Sequence, residues 1–234
     1  MASYGEAPGY RCSAPDANLS PMPLLEVCVD TIEKLRAAQQ GGAQRFELCS
    51  RLDLDGLSPT EELLEQALTE TKLPLFVMVR PRPGNSFVHD AEEFRRMLRE
   101  VDELRGLHVP GVVFGLLTRH HKIDVERTRE LVLAARPMAV TFHRAFDHAH
   151  EPLKSLDALI ELKVERVLSS GGLSDAWSGR EKLREFVQHA SGRIGVVPAG
   201  NVRAAHAREL VELTGARELH SSTWFRLGTE VRTS

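Results

Sequence analysis

From Leu24 to Ser222 the chain alternates strand-like and helix-like segments without interruption, and few architectures accept such a pattern. The strand-like segments are LLEVCVD (24–30), RFELCS (45–50), LFVMVRP (75–81), GVVFGLL (111–117), MAVTFHRAF (138–146), RVLSSGG (166–172), IGVVPAG (194–200) and ELHSS (218–222). Between them apolar residues recur at helical spacing, as Phe94, Met97, Leu98, Val101 and Leu104 do. Helix starts carry caps. Asp30 precedes Thr-Ile-Glu33, Ser58 precedes Pro59 at an expected first helical position, and Asp90 stands three residues before Glu93; Gly41-Gly42 closes the first helix.

Eight strands with seven intervening helices fit a parallel TIM-type (β/α)8 barrel better than an open sheet. No Gly-rich dinucleotide fingerprint follows the first strand, which lowers the doubly wound alternative. Residues 21–234 are expected to form one barrel domain. After Ser222 only TWFRLGTEVRTS remains, so the eighth helix is expected to be short or missing. Residues 1–20, rich in Ala, Ser, Pro and Gly and without periodicity, read as a flexible N-terminal tail that includes Cys12.

A formal charge of −3 gives no reason to expect a nucleic-acid or anionic-membrane partner. The longest apolar run, around Leu73–Val79, is far short of the roughly 20 residues that span a bilayer. The N-terminus has neither a basic start nor an apolar core and does not read as a secretory signal. Three cysteines argue against a disulfide framework, so a reducing cytoplasm is the expected compartment.

In parallel barrels function gathers at the carboxyl ends of the strands. There this sequence places Glu26-x-Cys28-x-Asp30, Glu47-x-Cys49, Arg80-Pro81-Arg82, His143-Arg144 with Asp147, and Glu218-x-His220. Side chains two apart share a strand face, so Glu26, Cys28 and Asp30 point one way, as do Glu47 and Cys49. Buried carboxylates need partners, and Arg80, His143 and Arg144 are the expected ones. Such a group is either a structural ion network or a reactive mouth; the residues alone leave both open.

The phrases EVCVDTIE, GGAQRFELCS, LFVMVRPRPG, GVVFGLLT, VTFHRAFD and ERVLSSGG, in this order and with ELH near the end, resemble the CutC copper-homeostasis family over nearly all of residues 24–222. The resemblance implies a TIM-type barrel, a cytoplasmic homo-oligomer (dimer or tetramer), and a role in copper tolerance through Cu(I). The family's proposed copper ligands are cysteines on the first two strands, which fall here on Cys28 and Cys49. Thiolates are soft donors that favour Cu(I), whereas a buried cysteine otherwise serves as a small apolar residue.

A competing reading is an enzyme. Ser169-Ser170-Gly171-Gly172 and Ala199-Gly200-Asn201 each sit between a strand and a helix start, where backbone amides attract anions. Gly171, Gly172, Gly200 and Asn201 are therefore a candidate anion site, and Arg80 and Arg82 a candidate clamp. Glu26, Glu47, Arg80, His143, Arg144 and His220 are the candidate catalytic group. His143 would be the general acid/base beside Glu26 or Glu47; Glu26, Glu47, His143 and Glu218 would alternatively hold a hard divalent ion. Either scheme suits a lyase, isomerase or epimerase acting on a small anionic substrate, phosphorylated ones included. The loop histidines His120, His121, His148 and His150 are expected to be solvated. Trp177 and Trp224 are expected to pack or sit at an interface.

Overall fold

The structure, a computed structural model, describes residues 23–222. The expected N-terminal tail with Cys12, Trp224, and the segment assigned to an eighth helix lie outside the described residues. The chain runs β1 (Leu24–Val29), α1 (Ile32–Gln40), β2 (Arg45–Leu48), α2 (Glu61–Glu70), β3 (Leu75–Met78), α3 (Ala91–Gly106), β4 (Gly111–Phe114) and α4 (Val125–Ala135). It continues with β5 (Ala139–Phe142), α5 (Pro152–Glu161), β6 (Arg166–Ser169), α6 (Arg180–Ala190), β7 (Gly195–Pro198), α7 (Ala204–Thr214) and β8 (Glu218–Ser221).

All eight strands are parallel, in the order β7-β6-β5-β4-β3-β2-β1-β8. Each pairs with its sequence neighbours, and β1 closes back onto β8. Strands β7 and β8 come side by side without a ladder between them, which leaves a nearly closed barrel. The expected TIM-type (β/α) barrel is what these residues build. Among them no helix is long and apolar enough to cross a membrane.

Strand alternation divides the side chains into two sets. Leu25, Val27, Val29, Phe46, Leu48, Val77, Val112, Phe114, Val140, Phe142, Val167 and Leu219 point outward and join the helices in the main apolar core. Each such side chain contributes about 1.5–3 kcal/mol on burial, so this outer layer holds the barrel. The other set faces inward, and much of it is not apolar. Glu26, Arg45, Glu47, Arg166, Glu218 and His220 share the barrel interior with Phe76, Met78 and Val113. Phe76 fits because Gly111 faces it on β4: a Cβ there would lie 1.8 Å from the ring.

The strands stop earlier than the apolar pattern suggests, four residues long from β2 onward. His143, Arg80, Gly171 and Gly200 therefore stand on the loops just past strand ends. Two caps shift as well. Thr31, not Asp30, caps α1 by accepting from Lys34 N, and Asp30 instead takes Lys34 Nζ and Leu52 N. Thr60, not Ser58, caps α2; the Ser58 hydroxyl is drawn away to Glu100 and the Arg80 amide. Asp90 and Glu93 form the expected capping box. Gly41 ends α1.

A buried ion network below a thiol and carboxylate mouth

In the lower interior Glu26, Arg45, Glu218 and His220 form a matched set of charges. Strand register sets Glu26 opposite Arg45 on one side and His220 on the other. Arg45 donates through Nε to Glu26 and through Nη2 to Glu218, while Glu26 Oε1 meets His220 Nδ1 at 2.7 Å. Burial would raise the Glu26 pKa, but Arg45 and His220 outweigh it and hold it at about 2. Burial would lower the His220 pKa, but the two carboxylates, Glu47 and Glu26, turn the shift upward. The Arg45 and Arg166 guanidinia sit 5.0 and 4.2 Å from the centre of the Phe76 ring, a packing that uses the ring's electron-rich face.

This corrects the expected pairing. Among the described residues, Arg80, His143 and Arg144 make no ion pair with Glu26, Glu47 or Glu218. All three lie beyond the strand ends, above the acids. Arg45 and His220 hold the acids instead. Arg45 was not among the expected partners, although Arg45-x-Glu47 repeats the two-residue spacing that places the acids on one face.

One register step above Glu26, Cys28 stands opposite Glu47. Cys49 follows the end of β2, and its Sγ lies 3.4 Å from Cys28 Sγ. Both cysteines are free and buried. Its bond to Cys49, burial and the nearby Glu47 carboxylate push the Cys28 thiol well above the ordinary thiol range. Glu47 is 2% exposed, and its Oε2 has no hydrogen-bond partner among the described residues. Burial raises the Glu47 pKa, opposed by the His220 charge and reinforced by Glu26. Cys28 Sγ, a Glu47 oxygen and a His220 nitrogen lie within 4.8 Å of one another.

These groups open onto a cavity of 410 Å³ whose wall includes Cys28, Glu47, Arg80, His143, Arg144 and His220. Cys49 is not on that wall; it is fully buried, with its sulfur packed 3.3 Å from where a Cβ at Gly56 would be. Arg80 is a strut. Its Nη1 donates to the carbonyls of Leu54, Asp55 and Gly56 and its Nη2 to that of Gly84, pinning the loops after β2 and β3 together. Burial without a carboxylate partner lowers its pKa. Arg82 instead holds Glu93 and the Val88 carbonyl.

His143 caps the turn Arg144–His148 by accepting the Ala145 amide at Nδ1. Gly115 makes room for its ring, since a Cβ there would come within 2.5 Å. Burial, together with the Arg80 charge, lowers the His143 pKa to about 3, so the imidazole is neutral at physiological pH. His148, exposed as expected, also reaches the cavity wall, its ring tilted against Phe87 at 5.3 Å. The His121 and His150 rings meet in a tilted contact at 5.1 Å, both exposed.

The loop carrying Gly171 and Gly172 already has an anion, supplied by the chain. Asp147 accepts from the Ser170 and Gly172 amides and from the hydroxyls of Ser169 and Ser170, while Arg144 Nε holds its other side. The Gly171 amide turns to the Ser169 hydroxyl. Gly200 and Asn201 differ, because they line the cavity itself beneath the Arg144 guanidinium. Trp177 packs partly buried against the core beside Arg180.

Fold and site together define a class: a (β/α) barrel with a buried charge network below and a thiol, carboxylate and imidazole mouth at the carboxyl ends of its strands. The CutC family model matches residues 23–225, and the chain belongs to the CutC family. A CutC family protein of Pasteurella multocida is 40% identical over 198 residues, covering 85% of this chain and 81% of that protein. A human protein named copper homeostasis protein cutC homolog is 39% identical over 199 residues, 85% of this chain and 72% of its own length. The crystal structure of CutC from Streptococcus agalactiae superposes with a TM-score of 0.81 at 28% identity, covering 86% of this chain and 99% of that one. Deoxyribose phosphate aldolase from Aeropyrum pernix shares the fold alone, with a TM-score of 0.61 at 13% identity and 85% of each chain covered.

Proposed function

We propose that this chain serves copper homeostasis by holding one Cu(I) ion between the sulfurs of Cys28 and Cys49. The observation that supports this is the 3.4 Å contact between two free, buried thiols, one on β1 and one just past the end of the adjacent β2. Two thiolates are a donor set selective for Cu(I) over harder ions. The cavity leads to Cys28, and the buried Cys49 completes the pair behind it. Because the Cys28 thiol holds its proton tightly, metal must displace that proton, and affinity falls as pH falls. The reading places the protein in a reducing cytoplasm as a dimer or tetramer of identical chains, with copper as its partner rather than nucleic acid or membrane.

An anaerobic Cu(I) titration against a competing chelator tests it. Tight one-to-one binding in the wild type, lost in the Cys28→Ser/Cys49→Ser double variant, is the expected result. Binding indifferent to both substitutions would leave the thiols as core packing.

One observation favours a second reading. Glu47 and His143 line the same cavity with pKa values moved in opposite directions, Glu47 up and His143 down to about 3. Such a split assigns a proton donor and a proton acceptor. A lyase, isomerase or epimerase acting on a small anionic substrate would use Glu47 as acid, His143 as base, and Arg144 with Gly200 and Asn201 to hold the anionic end. Retention of a discovered activity in His143→Gln would remove this reading.

A further inference from the structure

We propose that the mouth holds a second kind of metal site, for a divalent ion of the Zn(II) class, built from Cys28 Sγ, the Glu47 carboxylate and His220 Nε2. This donor set shares only Cys28 with the sulfur pair, and its argument does not rest on the Cu(I) reading.

Three features point to an ion. The three donor atoms come from three adjacent strands, β8, β1 and β2, and already lie within 4.8 Å of one another. With bonds of about 2.3 Å to sulfur and 2.0–2.2 Å to nitrogen or oxygen, tetrahedral donors sit roughly 3.5 Å apart. Small side-chain rotations therefore close the site. Next, Glu47 Oε2 is buried and has no partner among the described residues, an arrangement that costs free energy unless something else satisfies it. Finally, His220 is already oriented for the task. Its Nδ1 is engaged by Glu26, itself held by Arg45, and Nε2 is directed toward Glu47 at 4.0 Å. A carboxylate on the far nitrogen is the usual means of fixing a metal-bound histidine.

The donor chemistry decides the ion. One sulfur, one imidazole and one carboxylate form a borderline set that suits Zn(II) better than Cu(I). Thiolate and carboxylate together balance a charge of 2+. Three protein ligands leave a fourth position, and here it faces the 410 Å³ cavity with His143 and Arg144 on its wall. A small oxygen anion, a carboxylate or phosphate group, is the class of ligand that position would take beside Arg144.

The test uses Co(II), added anaerobically to the wild-type chain and then displaced by Zn(II). The expected result is one equivalent bound with a thiolate-to-cobalt charge-transfer band and the visible bands of tetrahedral cobalt. Cys28→Ser abolishes the charge-transfer band and Cys49→Ser keeps it. Glu47→Gln and His220→Gln weaken binding by more than the about 10–100-fold that loss of an outer partner costs. Absence of any thiolate–cobalt band in the wild type overturns the proposal. So does a Glu47→Gln variant, folded by circular dichroism, that binds Co(II) as tightly as wild type. Cu(I) binding measured on the same variants separates the two sites, because Cys49→Ser should lose Cu(I) alone.

Discussion

The floor and the mouth of this barrel are built from the same residue types and treat them in opposite ways. Below, Glu26, Glu218, Arg45 and His220 form a closed set in which every charge meets another. Above, Glu47 keeps an unpartnered oxygen, Arg80 is pinned by carbonyls alone, His143 is held neutral, and two thiols touch. Matched buried charge shapes a fold but leaves little to offer a ligand. Unmatched buried groups are held in place by the surrounding structure, and an ion or substrate is what completes them.

The largest effect that sharpens this contrast is on the floor. Arg45→Met leaves Glu26 and Glu218 without their shared cation and should destabilise the protein by about 3–5 kcal/mol in denaturant unfolding at pH 7. A loss under 1 kcal/mol would mean that the network contributes little and that the distinction fails.

A middle-sized effect belongs to His143. Its folded pKa of about 3 lies below its ordinary value of 6.5, so between those values the unfolded chain binds more protons than the folded one. Stability should therefore fall as pH drops from 6.5 toward 3, and His143→Gln should flatten that limb. His220, raised instead, contributes stability that is complete below 6.5 and fades as pH rises through its folded pKa. Unfolding free energies measured from pH 4 to 8 on both proteins separate the two limbs. The smallest effect is in the mouth. Glu47→Gln replaces a carboxyl whose pKa burial already raises, and should change stability by less than about 1 kcal/mol.

The eight strands were legible because a barrel strand buries both faces, and runs such as LFVM and GVVF leave no other reading. Their ends were not, since apolar residues continue into the loops: Leu116 and Leu117 pack in the core past the end of β4. The candidate mouth was legible as residue types at strand ends. Which partner each would meet was not, because contacts across a barrel depend on register and closure. Glu26 finds His220 194 positions away only because β1 and β8 pair. Arg45 was hidden inside a strand that also carried the acids. The Gly171-Gly172 loop looked like a site for an external anion because nothing local shows that Asp147 folds back into it.

The central claim is that Cys28 and Cys49 hold a single soft ion between their sulfurs. X-ray absorption at the copper edge of the protein loaded anaerobically with one equivalent of Cu(I) tests it most directly. Two sulfur neighbours in wild type and one or none in Cys49→Ser is the predicted result. A copper shell of nitrogen and oxygen only, unchanged by the substitution, would contradict it.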